Sequence, residues 1–235
     1  MFHKDHLIVG IVLFFLLIVL SGCVHRPHVT ASYPRWGNEM VIEQGGEEPL
    51  ILRTLPPQSS QASACVLLVH GMNEHIGRYG EVARYFSQHY FVAGFDHYAH
   101  GLSNPVLRRA DRALAEGADR ADVSDAYLAQ SALYDLEPLR QTLGLALQAF
   151  IAQCDAQDHS QRPVFIVAHS LGGLVTASYL LRHQNESDLH KRLRGVVFSR
   201  SGFCRERTPR MARLGGESLD QAVFPCGNAF FAPEG

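Results

Sequence analysis

Residues 164–173, VFIVAHSLGG, decide the fold that the sequence predicts. A short apolar run at 164–168 is followed by a polar pair and then by a helical pattern over 171–183. A continuous apolar run of this length is typical of a strand that is buried on both faces. The segment therefore predicts a buried strand, a tight turn at Ser170 and a helix.

The same alternation of strand and helix patterns runs from residue 65 onward. It predicts an α/β fold with a doubly wound, mostly parallel sheet that helices cover on both faces. In such sheets, sites form at the carboxyl ends of the strands. The predicted strands are 40–43, 50–55, 65–70, 91–96, 164–168 and 195–199, and the predicted helices are 78–89, 122–153 (kinked or split at Pro138) and 171–183.

Ser170 stands in a small-X-Ser-X-Gly pattern at a strand-to-helix junction, which is typical of a nucleophile elbow. The turn is tight, so it needs small residues two positions before and after the serine, and Ala168 and Gly172 supply them. The backbone N–H of Leu171 would then point to where an oxyanion forms, and the helix dipole would favour the negative charge. The alternative is a serine in an ordinary Gly-rich turn, but the strand–turn–helix context favours the elbow.

Histidines follow two other predicted strands. We expect His70 to be a structural residue that hydrogen-bonds its loop. His97 and His100 form an H-x-x-H pair, but no carboxylate or third histidine stands at ligand spacing, so we expect a packed turn and no metal. Cys65 is expected to pack in its strand, and the irregular spacing of the cysteines indicates neither a disulfide framework nor a zinc site.

The bulk composition narrows the class of protein. The chain has 235 residues, 46% of them hydrophobic and 19% charged, with a formal net charge of −2. This length suits one domain, and the charge gives no reason to expect a nucleic-acid partner. We expect no cofactor.

The N-terminus carries an export pattern. Residues 7–20 are almost wholly apolar and end in Leu20-Ser21-Gly22-Cys23, which resembles the lipobox of bacterial lipoproteins. The run is shorter than the roughly 20 residues that a membrane span needs. We expect a signal peptide at 1–22, acylation of Cys23, a tether at 23–38, and a lipid-anchored protein of the bacterial envelope, at the outer membrane. The alternative is a signal anchor that ends near a cysteine by chance.

Three segments together resemble the monoacylglycerol lipase and lysophospholipase branch of the α/β-hydrolases, also labelled serine aminopeptidase S33 or hydrolase 4. They are VLLVHGMNEHIGRY at 66–79, VAGFDHYAHGLSN at 92–104 and VFIVAHSLGG at 164–173, and the resemblance covers about residues 40–200. This sequence departs from the family at Ala168, where glycine is usual, and at Tyr98-Ala99, where Arg-Gly or Tyr-Gly is usual. The resemblance implies ester hydrolysis through an acyl-enzyme on Ser170, a small acyl ester or lipid as substrate, and Met72 as the oxyanion donor besides Leu171.

The acid and base partners of such a serine are not found in the sequence. In the family they follow the serine in the order Asp, then His, but only 65 residues follow Ser170, and the last histidine is His190. Asp188 and His190 fall in a polar stretch that we expect to be a loop. We therefore expect an incomplete hydrolase core at 39–200 that lacks the last strands and the cap.

The residues at 201–235 have an atypical composition, with several arginines and no clear strand. We expect that the reading frame is shifted or truncated near 200–204, and the alternative is a genuine short homologue. The strand at 195–199 would then be an apolar edge, which predicts poor solubility.

Three functions stay open. They are a serine esterase or lipase with impaired activity, an inactive lipid-anchored binding protein on the same fold, and a peptidase or other acyl-transfer enzyme.

Overall fold

The computed structural model describes residues 28–29, 31–44, 47–59, 62–123, 135–157, 161–199, 212–214 and 229–233. The expectations of a signal peptide at 1–22 and of a lipidated Cys23 lie outside these residues. In the ranges given, no helix is both long and apolar enough to span a bilayer.

Strands and helices alternate through the middle of the chain. The strands are β1 (His28–Val29), β2 (Asn38–Gln44), β3 (Glu47–Leu55), β4 (Ala64–Val69), β5 (Tyr90–Phe95), β6 (Ala121–Asp122), β7 (Val164–His169), β8 (Leu193–Ser199), β9 (Ala212–Leu214) and β10 (Ala229–Pro233). The helices are α1 (Gly80–Phe86), α2 (Pro105–Ala115), α3 (Glu137–Ala156), α4 (Leu171–Arg182) and α5 (Ser187–Arg192), with 3-10 helices at Ile76–Tyr79 and Gly101–Ser103.

An eight-stranded sheet has the order β2-β3-β5-β4-β7-β8-β10-β9, and β1 pairs separately with β6. The four central strands, β5, β4, β7 and β8, are parallel. Strands β2 and β3 pair antiparallel with their neighbours, and β10 pairs antiparallel with β8 but parallel with β9. The mostly parallel α/β architecture predicted from the sequence is confirmed.

Two apolar layers enclose the sheet. All six residues of β4 are buried, which explains why its sequence is continuously apolar. On one face the sheet packs against α3 and α4, and the ring of Phe91 stacks on that of Phe150 with centroids 5.9 Å apart. On the other face, Val66 and Leu68 of β4 pack with Trp36 and Ile76.

The helices between β5 and β7 differ from the prediction. The long helix begins at Glu137, and Pro138 lies in its first turn, where proline is tolerated because no backbone hydrogen bond is lost there. Helix α2 was not predicted from the sequence. Its signal was nevertheless present, since the Asn104 side chain accepts hydrogen bonds from the first turn and Pro105 is the first helical residue.

The outer edge of β8 is paired near its carboxyl end. Strand β10 pairs antiparallel with β8, with Ala229 opposite Phe198 and Phe230 opposite Val197. The expectations that β8 is a bare edge and that the tail contains no strand are therefore wrong. The local pattern of the tail is weak, but pairing with an existing strand supplies the missing hydrogen-bond partners. The paired residues of β8 are Val197 and Phe198, and the poor solubility stays a prediction.

Residues 31–37, which fall inside the expected tether, lie against the core. The Trp36 side chain is buried, and its indole N–H donates a hydrogen bond to the Ile76 carbonyl at 2.8 Å. The Tyr33 hydroxyl reaches the carboxylate of Asp96 at 2.7 Å. Part of the expected tether is therefore a component of the fold.

A disulfide joins the sheet to α3. Cys65 on β4 and Cys154 on α3 are fully buried and bonded, with their Cα atoms 6.2 Å apart. Cys65 is buried in its strand, as expected, but its bond to Cys154 was not predicted. The two residues are 89 positions apart in the sequence, and only the packing of α3 on the sheet brings them together.

Reduction of this disulfide is expected to lower the free energy of unfolding by about 2–5 kcal/mol, because the closed loop restricts the unfolded chain. Urea unfolding of the oxidised and reduced protein, monitored by circular dichroism, measures the change. The Cys65→Ala/Cys154→Ala double variant should not respond to reductant. Equal midpoints for the oxidised and reduced protein would contradict the disulfide.

Candidate active site

Ser170 lies in a strained turn between β7 and α4. Its backbone φ is +48° and its ψ is −118°, a conformation that is costly for any residue other than glycine, by about 1–3 kcal/mol. The Ser170 N–H donates to the Ser199 carbonyl at 2.8 Å, and its own carbonyl accepts from the Gly173 N–H at 3.0 Å. This is the geometry that a nucleophile elbow requires.

Gly172 shows why the turn tolerates only small residues. A Cβ atom at position 172 would lie 2.4 Å from the carbonyl oxygen of His70 and 2.8 Å from that of Val69. Ala168, two residues before the serine, is fully buried in β7. The end of β4 therefore occupies the space that larger side chains would need.

The loop after β4 lies beside the serine. A Cβ atom at Gly71 would be 3.0 Å from the Cβ of Ser170, so the two backbones approach closely. Met72 follows with a 60% exposed side chain. Within the described part of the chain, the backbone N–H groups of Met72 and Leu171 have no hydrogen-bond acceptor. Their role as oxyanion donors stays a prediction, which this arrangement permits.

His70 is a structural residue, as expected from the sequence. Its side chain is fully buried; Nδ1 donates to the Gly71 carbonyl at 2.8 Å, and Nε2 accepts from the His97 backbone N–H at 3.0 Å. The His97 ring in turn donates to the His70 carbonyl at 3.1 Å. Burial lowers the pKa of His70 to about 3 and holds the pKa of His97 well below its usual value, so both rings are neutral at neutral pH.

Asp96 ties the surrounding loops together. Its buried carboxylate accepts hydrogen bonds from the Ile76 N–H at 2.7 Å, the Leu102 N–H at 2.8 Å and the Tyr33 hydroxyl at 2.7 Å. Burial raises the pKa of Asp96, while these donors favour its charged form. Gly101 has a φ of +46°, and a Cβ there would lie 2.2 Å from an Asp96 oxygen.

Ala99 stands where glycine is usual in the family pattern, and its backbone conformation is strained. Its φ is +62°, in the left-handed region, where a residue other than glycine loses about 1–2 kcal/mol. This turn contains the H-x-x-H pair. In the ranges that the structure describes, no three His, Cys, Asp or Glu residues are grouped so that they could hold a metal ion.

The acid and base candidates that follow Ser170 most closely in the sequence are not placed to act as its catalytic partners. Asp188 and His190 lie on helix α5 and not in a loop as expected. This helix leads into the amino end of β8, whereas Ser170 follows the carboxyl end of the parallel strand β7. The length of β8, about 20 Å, separates the two edges. Among the described residues, none hydrogen-bonds the Ser170 hydroxyl.

A separate groove of about 1260 Å³ lies beside α3 and α4, away from the serine. Most of its lining residues are polar or charged, and among them Glu137 pairs with Arg140 and Arg182. The groove includes no residue of the elbow or of the loop after β4, so it is not the opening of the candidate site.

Comparisons with known proteins agree with this geometry. Residues 60–129 match the family model described as serine aminopeptidase, S33 (hydrolase 4); the matched stretch includes the loop after β4 and the Asp96 turn but ends before Ser170. The resemblance had been expected over about 40–200. A search of curated proteins found no match.

Solved structures share the fold. A monoglyceride lipase from Saccharomyces cerevisiae, in complex with a substrate analog, is 18% identical with a TM-score of 0.50, and the alignment covers 72% of this chain and 48% of the lipase. A thermostable carboxyl esterase from Bacillus coagulans is 19% identical with a TM-score of 0.49, covering 74% of this chain and 47% of the esterase. The chain thus spans about half the length of these structures.

The strained serine at a strand-to-helix turn, the parallel sheet and the matched segment lead to one assignment. The chain has the fold of the α/β-hydrolases, and its residues 60–129 are similar to the S33, or hydrolase 4, family.

Proposed function

We propose that the chain is a serine hydrolase of the esterase or lipase type, which cleaves carboxylic esters through an acyl-enzyme on Ser170. The observation that carries this proposal is the backbone of Ser170, with its φ of +48° between β7 and α4. Backbone strain of this kind clusters at functional sites, and a serine held at the carboxyl edge of a parallel sheet is placed to act as a nucleophile.

The chemistry follows from the groups around the turn. The Ser170 hydroxyl attacks the ester carbonyl, the ester C–O bond breaks, and the alcohol leaves with the serine's proton. Water then hydrolyses the acyl-enzyme to the free acid and restores Ser170. In each step the oxygen that becomes negative is stabilised by the N–H groups of Met72 and Leu171. Loss of one such donor typically costs about 10²- to 10³-fold in rate. The proton acceptor that the serine needs is not among the described residues, so we expect slow turnover from this chain.

Two other functions compete with this proposal. The name of the matched family includes aminopeptidase, which favours an amide substrate. The lack of a proton acceptor within the described residues favours an inactive binding protein. The monoglyceride lipase and carboxyl esterase among the similar structures support a monoacyl lipid or small acyl ester instead.

Hydrolysis of p-nitrophenyl butyrate and of an aminoacyl p-nitroanilide separates these functions. We expect turnover of the ester that exceeds turnover of the anilide and that falls to background in Ser170→Ala, because the attacking oxygen is lost. The Ser178→Ala variant, which alters another serine of α4, should keep the activity.

Ester turnover that survives in Ser170→Ala would contradict the proposed nucleophile. Turnover of the anilide alone would favour a peptidase. A folded chain that hydrolyses neither compound would favour the binding protein.

We also propose that the chain is exported and anchored in the bacterial envelope through an acylated Cys23, at the outer membrane. The apolar run and the lipobox-like sequence support this proposal. The Cys65–Cys154 disulfide is a second support, because such bonds persist in oxidising compartments outside the cytoplasm. His28, the first residue of β1, stands five positions after Cys23, so the anchor would hold the fold within about 17 Å of the lipid.

Acylation can be tested by expressing the full chain in bacteria grown with an alkyne fatty acid. We expect the Cys23→Ser variant to carry no label and to be absent from the membrane fraction, because it lacks the thiol that is acylated. The Cys204→Ser variant controls for the removal of a cysteine and should keep the label. Undiminished labelling of Cys23→Ser would show that the anchor lies elsewhere or does not exist.

A further inference from the structure

The Glu74 carboxylate closes the loop that follows β4. Its Oε1 atom accepts a hydrogen bond from the Gly71 backbone N–H at 2.5 Å and another from the Tyr79 hydroxyl at 2.8 Å. The first of these bonds spans three residues and stabilises the turn as a backbone hydrogen bond would. It also occupies the Gly71 N–H, so Met72 provides the next backbone donor along the loop.

Gly71 is the point at which this loop meets the elbow. A Cβ atom at Gly71 would lie 2.8 Å from Glu74 Oε1, 3.0 Å from the Cβ of Ser170 and 3.2 Å from the ring of His169. The carboxylate and the serine therefore flank the same backbone position. A movement of Glu74 would alter the distance between the loop and Ser170.

The loop needs an external restraint. Asn73 has a φ of +56°, in the left-handed region, which asparagine enters more readily than most residues other than glycine but which is still a minor region of its backbone. The Met72 side chain is 60% exposed and offers little packing that could fix the peptide groups around it. The hydrogen bond from Gly71 to Glu74 supplies this restraint.

Tyr79 connects Glu74 to the buried core. It is the last residue of the 3-10 helix Ile76–Tyr79, in which the Ile76 N–H donates to Asp96 and the Gly77 N–H donates to the Tyr33 hydroxyl at 2.9 Å. Burial alone would raise the pKa of Glu74, but the Tyr79 and Gly71 hydrogen bonds outweigh it and lower the pKa, so the carboxylate is charged at neutral pH.

We propose that Glu74 is a positioning residue for the reaction at Ser170. Its carboxylate fixes the loop after β4 so that the Met72 N–H faces the oxygen of the substrate when that oxygen becomes negative. Glu74 itself touches neither the substrate nor the reacting atoms. This inference rests on the proposed esterase function.

Steady-state kinetics of p-nitrophenyl butyrate hydrolysis test the proposal on the full chain. In Glu74→Ala we expect kcat to fall about 10- to 100-fold with KM nearly unchanged, because a misplaced donor weakens only the transition state. The Glu74→Gln variant keeps an acceptor oxygen for Gly71 and Tyr79 and should recover kcat to within about 3-fold of the wild type. The Glu81→Ala variant is the matched control, since it removes an exposed carboxylate from the next helix and should leave kcat unchanged.

The outcomes separate this inference from the proposed function. If the wild-type chain shows no Ser170-dependent hydrolysis, the positioning role of Glu74 and the proposed esterase function both lose their support. With an active wild type, an unchanged kcat in Glu74→Ala would overturn the positioning role, and so would a rise in KM alone, which would assign Glu74 to substrate binding. If Glu74→Ala does not fold, as judged by thermal melting, Glu74→Asp decides: its shorter side chain withdraws the oxygen, so a wild-type kcat in that variant would overturn the proposal.

Discussion

The close approach of two backbones, at Gly172 and at the end of β4, is the contact on which the site depends. The carbonyl oxygen of His70 lies where a side chain at residue 172 would have to be. Because β4 and β7 are adjacent parallel strands, this contact holds the turn after one strand against the loop after the other. It leaves Ser170 in its strained conformation and brings Gly71 beside the serine.

That contact is stable because buried polar groups hold the loop after β4 in place through hydrogen bonds. The Asp96 carboxylate binds backbone N–H groups of two loops and the hydroxyl of Tyr33, so it replaces the water that these groups lose. His70 and His97 are neutral and bonded to each other's backbone. Their pKa values are lowered, so this support is complete above about pH 6.5 and weakens below it, where the unfolded chain binds protons that the folded chain does not.

Much of this centre could be predicted from local sequence. The strand and helix around Ser170, predicted at 164–168 and 171–183, agree with β7 and α4 within one residue at each end. Local patterns suffice there because each residue type is determined at its own position. Burial of the strand requires the apolar run, and the tight turn requires the small residues Ala168 and Gly172. The structural role of His70 followed from the same reasoning.

Features that depend on distant contacts could not be predicted. The Cys65–Cys154 disulfide needs α3 to pack on β4, and the pairing of β10 with β8 joins residues 30 or more positions apart. Tyr33 and Trp36 fall in the predicted tether, and their partners in the fold, Asp96 and Ile76, lie far along the sequence. The helix α2 is a different case, since its start at Asn104-Pro105 is a local pattern that depends on no distant contact.

The central claim is that the fold presents Ser170 as a reactive nucleophile. The most direct measurement is mass spectrometry of the folded chain after reaction with a fluorophosphonate, which forms a covalent adduct with activated serines. The account predicts one adduct, located on Ser170 and absent from the Ser170→Ala variant. A folded chain without an adduct, or an adduct that persists at another serine in Ser170→Ala, would contradict it.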